Sequence, residues 1–346
     1  MATSGRDRVP EVDLLRFLAS LAVVYFHTIY QDSPVRHAAQ YGFMGVHVFF
    51  MISGFVILWT ASSKDAYGFL ASRLARLYPS YWICCLLTFA ALWHAGENPT
   101  VGALLANLTM VPGAFHAEML DSVYWTLIVE LKFYGLVLLL LLTRQMPRIE
   151  GWLYAWLLYC FAAHWLPAHF PFQSPTLLGF APLFIAGSLL YLVYRDGLTR
   201  ARLGGLAGSL LLGAAMTAST EAGFTARADA ATQTICVLIL LAAFSVFLLI
   251  ALRRFRLPPS PLWYWLGGMT YPLYLIHYRA VGALLVGVPK TWWHASVHIL
   301  IALALAAVLA AVSERRLCPQ FNRLLLRARD SWRARRLLPA RGGAPP

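Results

Sequence analysis

The sequence predicts an all-α, polytopic membrane protein of about ten transmembrane helices with both termini cytoplasmic. Three observations carry that prediction. First, 60% of the 346 residues are hydrophobic and only 12% are charged, where a soluble domain carries roughly a quarter charged residues. Second, uncharged runs close to the ~20 residues that cross a bilayer recur along the whole chain. Third, 22 of the 28 Lys and Arg residues fall in alternate connections between those runs and in the C-terminal tail, against three (Arg36, Arg227, Lys290) in the intervening ones. Such asymmetry places the basic connections in the cytoplasm and requires an even number of spans. The net charge of +13 therefore reports topology, and nucleic acid is excluded as a partner.

The runs predict helices near 14–31, 43–61, 77–94, 122–143 and 150–166, then 177–194, 203–220, 231–252, 262–286 and 295–313. Arg6 and Arg8 resemble the start of a signal peptide, but no small-residue cleavage site follows, so the first run is expected to be retained as a helix. Val101–Pro112 is apolar but too short to span, and is expected to be re-entrant or interfacial. Residues 1–316 are expected to form one membrane domain and 317–346 a basic cytoplasmic tail, partly disordered at its Arg-Gly-Gly-Ala-Pro-Pro end. Basic residues alternating with Leu and Trp332 suit an amphipathic helix on anionic lipid. Four of the five cysteines lie in apolar runs and no CxxC pair occurs, so neither a disulfide framework nor a metal site is expected.

Ionisable residues inside apolar helices are costly and usually face a polar cavity. Arg16 and His27 are eleven steps apart on the first helix; at 100° per step they share a face, roughly 16 Å apart along the axis. Snorkelling and a packing role are the alternatives. In the second helix, Gly42, Gly45 and Gly54 permit close backbone approach. Ser53-Gly54 could also kink that helix and free carbonyls for a ligand. Arg73 and Arg76, one turn apart, put two guanidinium forks on one face, a geometry suited to phosphate or to plain cytoplasmic flanking. Glu130 lies about 12 Å into the fourth helix, and His27 roughly 20 Å above the opposite edge of a core about 30 Å thick. Their depths match, so the carboxylate could orient the imidazole, serve a proton relay or join a structural ion pair. In the ninth helix His277 stands above Tyr274 and Tyr271, with Pro272 removing a backbone donor.

Five motifs follow in order: Arg16-x10-His27, GxxGVxxFFxxSGF from Gly42, RxxRxYPxYW from Arg73, WTLxxExxFY from Trp125, and YPLYLxH from Tyr271. Together they resemble the membrane-bound acyltransferase 3 family over about residues 11–316. The resemblance implies that His27 is catalytic with Arg16 as its companion, and that Arg73 and Arg76 serve the acyl-CoA side. It also implies importance for Ser53, Gly54, Trp125 and Glu130. Tyr274 and His277 are further candidate substrate-binding residues. Two positions depart from the family pattern: His47 stands where an acid is usual, and Leu131-Lys132 where many members carry Glu-Gln.

The function so implied is O-acyl transfer, with acetyl the favoured group, from cytoplasmic acyl-CoA to a hydroxyl of a surface carbohydrate or lipid-linked glycan. The location implied is a bacterial inner membrane. Membrane lipid is a further partner, acyl-CoA is a co-substrate, and no resident cofactor is implied. Intramembrane His, Arg and Glu also mark proton-coupled transporters and flippases, which form the alternative class.

Overall fold

Helices account for most of the computed structural model, which describes residues 9–30, 39–166, 175–220, 229–288 and 292–337; no strand occurs among them. Arg6, Arg8, Arg36, Arg227, Lys290 and the final Arg-Gly-Gly-Ala-Pro-Pro, all used in the topology argument, lie outside the described residues. The helices are α1 (Pro10–Tyr25), α2 (Met44–Ser62), α3 (Ala66–His94), α4 (Val101–Leu108), α5 (Trp125–Leu142), α6 (Ile149–Trp165), α7 (Pro175–Asp196) and α8 (Arg200–Thr220). They continue with α9 (Ala230–Ala251), α10 (Pro261–Ile276), α11 (Arg279–Leu284), α12 (Trp292–Val312) and α13 (Cys318–Leu337).

Each predicted span holds a helix. Among the described residues seven stretches are long and apolar enough to cross a membrane: Pro10–Ile29, Gln40–Ser62, Ala66–His94, Ser122–Leu142, Leu177–Asp196, Ala230–Ala251 and Trp293–Trp332. The other three predicted spans are occupied by α6, by α8, and by α10 with its continuation α11. At 17 and 16 residues, α6 and α10 fall short of a ~20-residue crossing on their own.

Helix α2 is the centre of the bundle. It packs along α7, with α1 on its flank, α10 beyond α1, and α12 covering α10. A Cβ on Gly54 would come within 2.2 Å of the Phe184 carbonyl oxygen, and one on Gly187 within 1.8 Å of that of Met51. Only glycine lets these two backbones meet, as small residues do between membrane helices. Of the two readings of Ser53-Gly54, packing is the one the structure shows. Helix α2 runs unbroken, and the Gly54 carbonyl accepts a hydrogen bond from Ser188 Oγ at 3.2 Å. The close seam with α7 uses the glycine, leaving no carbonyl freed by a break.

Three further features depart from or refine the sequence reading. Helix α3 starts eleven residues before the expected position, at a cap where Asp65 Oδ1 accepts from Gly68 N at 2.8 Å. Its early turns pack on α13: Tyr67 Oη donates to the Leu325 carbonyl at 2.7 Å, and Arg329 pairs with Asp65 at 3.3 Å. The basic tail is thus helical and joined to α12 by a π turn at Ser313–Leu317. Residues 101–108 form the short helix α4, capped by Thr100. Four of the five cysteines are buried and all five are free.

Candidate active site

A cavity of about 920 Å³ opens among α1, α2, α3, α5, α10 and α12. Its wall carries five cations, Arg16, Lys64, Arg73, Arg76 and Arg315, against three acids, Asp13, Glu130 and Glu314. Arg76 is ion-paired with Glu314. Arg73 lies 5.9 Å over the Tyr134 ring, and its buried Nε has no hydrogen-bond partner. Burial and the neighbouring Arg73 charge both lower the pKa of the Lys64 ammonium, in the connection between α2 and α3. Like charges held this close favour an anion between them.

Deeper in the cavity, Glu130 Oε1 accepts from Ser53 Oγ at 3.2 Å and from Tyr134 Oη at 2.8 Å. Arg16 lies within electrostatic reach of Asp13, Arg76 and Glu130. Tyr271 Oη, on the same wall, is buried without a partner. The cavity ends at Phe49, Phe50, Thr126 and Tyr274. Tyr274 is held there by its hydroxyl, which accepts from Thr126 Oγ1 at 2.9 Å and donates to the Val123 carbonyl at 3.3 Å.

Behind Tyr274 stands a second group of residues. After Tyr25 the first helix widens into a π turn, Phe26–Tyr30, a local distortion common at functional sites. The His27 ring there meets Phe26 at 5.0 Å, His277 at 5.2 Å and Tyr278 at 4.4 Å between centroids. His277 is fully buried, and its Nδ1 lies 2.9 Å from the Tyr274 carbonyl. A carbonyl can only accept, so Nδ1 carries the proton. Nε2 of His277 has no protein partner, nor has Nδ1 of His27. The Tyr274 ring lies 5.8 Å from that of His277, so this one tyrosine touches both the cavity and one of the two histidines.

The pattern of the acyltransferase 3 family, described as an acyltransferase domain, matches residues 9–313. The chain belongs to the acyltransferase 3 family. Among curated relatives, Acyltransferase MdmB of Streptomyces mycarofaciens is 27% identical over 248 residues, 60% of this chain and 63% of the relative. ORF330 of Acidianus two-tailed virus, named a candidate acetyltransferase, is 24% identical over 203 residues, 56% of this chain and 61% of the relative. The chain thus spans about six tenths of the length of the curated relatives it matches. No solved structure matches it. Family membership and the seven apolar helices make this a multi-pass membrane protein.

Of the candidate residues of this acyltransferase 3 member, Arg16, Ser53, Arg73, Arg76, Glu130 and Tyr274 line the cavity, while His27, Gly54, Trp125 and His277 do not. Trp125 packs between Phe50 and Phe180. Arg16 lines the cavity and His27 does not: His27 stands beyond Tyr25 in the π turn, roughly three turns along the helix from Arg16. Glu130 bonds to Ser53 and Tyr134, whereas the rings around His27 belong to Phe26, His277 and Tyr278. Depth alone could not reveal that Tyr274 stands beside His277 at the end of the cavity that holds Glu130. Sequence reasoning missed Glu314, Tyr278, Asp121 and His298. The i, i+4 pair His294/His298 was a usable signal, since both are buried at the start of α12.

Proposed function

We propose that this protein is an integral-membrane O-acyltransferase of a bacterial inner membrane. It takes an acyl group, acetyl being favoured, from cytoplasmic acyl-CoA and passes it to a hydroxyl of a surface carbohydrate or lipid-linked glycan. One observation carries this reading: a cation-rich cavity ends on a tyrosine whose ring also packs against the buried His277, which in turn lies against His27. Acyl-CoA is polyanionic at one end and acylated at the other. Arg73, Lys64 and Arg76 suit its phosphates, and the same cavity that they line is also lined by Tyr274, toward which the thioester would lead.

At His27 the acceptor hydroxyl gives its proton to an imidazole nitrogen acting as general base. The hydroxyl oxygen bonds to the thioester carbonyl carbon, the C–S bond breaks, and the departing CoA thiolate takes up a proton. His277, with its proton held at Nδ1, offers Nε2 as an acceptor for the same hydroxyl. A second route passes the acyl group through His27 itself as nucleophile, the C–S bond breaking as the acyl–nitrogen bond forms; an acetyl adduct trapped on His27 would favour it. Transport is the competing class, because Arg16 and Glu130 also form a polar cavity inside apolar helices.

Two measurements test the reading. Purified wild type, His27→Ala and His27→Gln are compared for turnover of labelled acetyl-CoA at matched folded protein; both variants should be inactive. Near-normal turnover in either ends the catalytic assignment. For orientation, reporter fusions at Lys64, Arg200 and Arg254 should report the cytoplasm and one at Pro99 the outside; two reversed sites overturn the topology.

A further inference from the structure

The tenth helix does not continue past Ile276. His277 ends it with an αR geometry, Tyr278 takes φ −97° and ψ −85°, and α11 restarts at Arg279. A break of this kind, buried in a bundle, strands backbone groups that a continuous helix would pair. In a continuous helix the Arg279 N–H would reach back four residues, and the His277 carbonyl would receive from four residues ahead. In a buried segment such groups are costly unless another protein group takes them up.

These two stranded groups are each met by a side chain from a different part of the fold. Asp121, fully buried ahead of α5, accepts the Arg279 N–H on Oδ2 at 2.9 Å and the Val123 N–H on Oδ1 at 3.1 Å. His298, buried on α12, places Nε2 2.5 Å from the His277 carbonyl. Since that carbonyl can only accept, His298 Nε2 donates. The two residues at the break, His277 and Tyr278, are the two whose rings lie against His27 from outside its own helix. The Arg279 side chain is directed elsewhere, to Glu97.

We propose that Asp121 and His298 are positioning residues: they hold the broken α10–α11 backbone so that the His277 and Tyr278 rings fix the imidazole of His27. The proposal rests on the reading of His27 as the acyl-transfer histidine. Neither residue touches a substrate in this scheme. Both act through the two rings. Packing alone would account for a buried Asp or His, but not for one on each side of the same break, each on the backbone group that the break exposes.

The test uses the full chain in membranes, with two readouts. The first is carbethoxylation of His27 by diethyl pyrocarbonate, followed by peptide mass spectrometry, which needs no activity and no purification. The second is CoA release from acetyl-CoA, resolved into the saturated rate and the half-saturating concentration. His298→Leu and Asp121→Ala should speed His27 modification several-fold. They should cut the saturated rate by about tenfold or more, as small misplacements of reacting groups do, with the half-saturating acetyl-CoA concentration unchanged. His298→Gln, whose amide N–H can reach the same carbonyl, should recover both readouts. Asp121→Asn, which keeps one acceptor oxygen, should fall between. Unchanged His27 modification in His298→Leu and Asp121→Ala overturns the proposal. So does raised modification with an undiminished saturated rate, or a shift confined to the half-saturating concentration. His27→Gln runs in parallel: if it still releases CoA, the catalytic reading of His27 fails, while the modification readout still decides whether the two residues hold the rings in place.

Discussion

In the basic cavity, charge answers charge: Arg76 meets Glu314, Arg73 lies over Tyr134, and Glu130 takes two hydroxyl donors. Around His27 the neighbours are rings, and the polar bonds nearby run to backbone rather than between side chains. The difference teaches that two separate means keep polar groups inside this bundle. One is pairing of side chains across helices. The other is a deliberate break in the backbone, made tolerable by partners supplied from other elements. The first suits binding of a large anion, where charges are spent on the ligand. The second suits placement of a few atoms to within a fraction of an ångström.

The largest expected effect lies at the histidine group. His27→Gln should lower acyl transfer by at least about a hundredfold if the imidazole is a general base, with insertion unchanged, since one side chain contributes little to a bundle this apolar. Comparable loss from a Ser53→Ala change, which touches only Glu130, would break the division between the two regions.

Next comes the cavity. Arg73→Ala should raise the KM for acetyl-CoA by about tenfold, the scale of one charge-assisted bond, with kcat little changed. Arg76→Ala should do less to KM, because Glu314 already holds that guanidinium. Arg73→Lys should recover part of the loss, a point charge replacing a fork. Steady-state kinetics at two salt concentrations checks this; equal effects of Arg73→Ala and Arg76→Ala would remove the distinction drawn from the ion pair.

A smaller effect separates packing from chemistry. Gly54→Ala should lower thermal stability by about 1–3 kcal/mol through overpacking against Phe184, measured by thermal unfolding in detergent, and leave the KM for acetyl-CoA unchanged. A raised KM at full stability would return Gly54 to the binding site.

The smallest effect concerns Asp121. Burial pushes its carboxyl up to about 7, against the pull of hydrogen bonds from Val123 and Arg279. A raised pKa in the folded state means that the fold holds the proton more tightly than the unfolded chain does. The stabilisation is fully present below the ordinary carboxylate value of ~3.9 and is lost as pH rises through about 7. The thermal midpoint of wild type, relative to Asp121→Asn, should therefore fall as pH is raised from about 5.5 to about 8. Taking the difference between the two proteins removes the titration of Arg279's partner Glu97 and of the histidines, which both share. A difference that is flat or rises with pH would remove the buried carboxyl from this account.

Much of the fold was legible because hydrophobic runs and basic flanks are local properties. Each predicted run is occupied by helix, the ninth by two, and the small residues Gly42, Gly45 and Gly54 marked real close approaches. The cavity was legible in part: Arg16, Arg73, Arg76, Ser53 and Glu130 all reach it. Helical spacing sufficed for the arginine pair because α3 is regular across Arg73 and Arg76. It could not foresee the π turn at His27, nor by itself decide between a kink and packing at Gly54, where a mid-helix Ser-Gly reads the same in both.

By itself the sequence determined that this chain lives in a bilayer, where its apolar helices lie along the chain, and which ionisable side chains are carried into the apolar interior. Those follow from composition, period and charge, which act over one or two turns. Only the tertiary structure decided that Glu130 serves Ser53 and Tyr134, that Glu314 claims Arg76, and that Asp121 and His298 hold the break beside His27. Those pairings join residues far apart in the chain, and no local period can choose among partners that meet only when the helices pack.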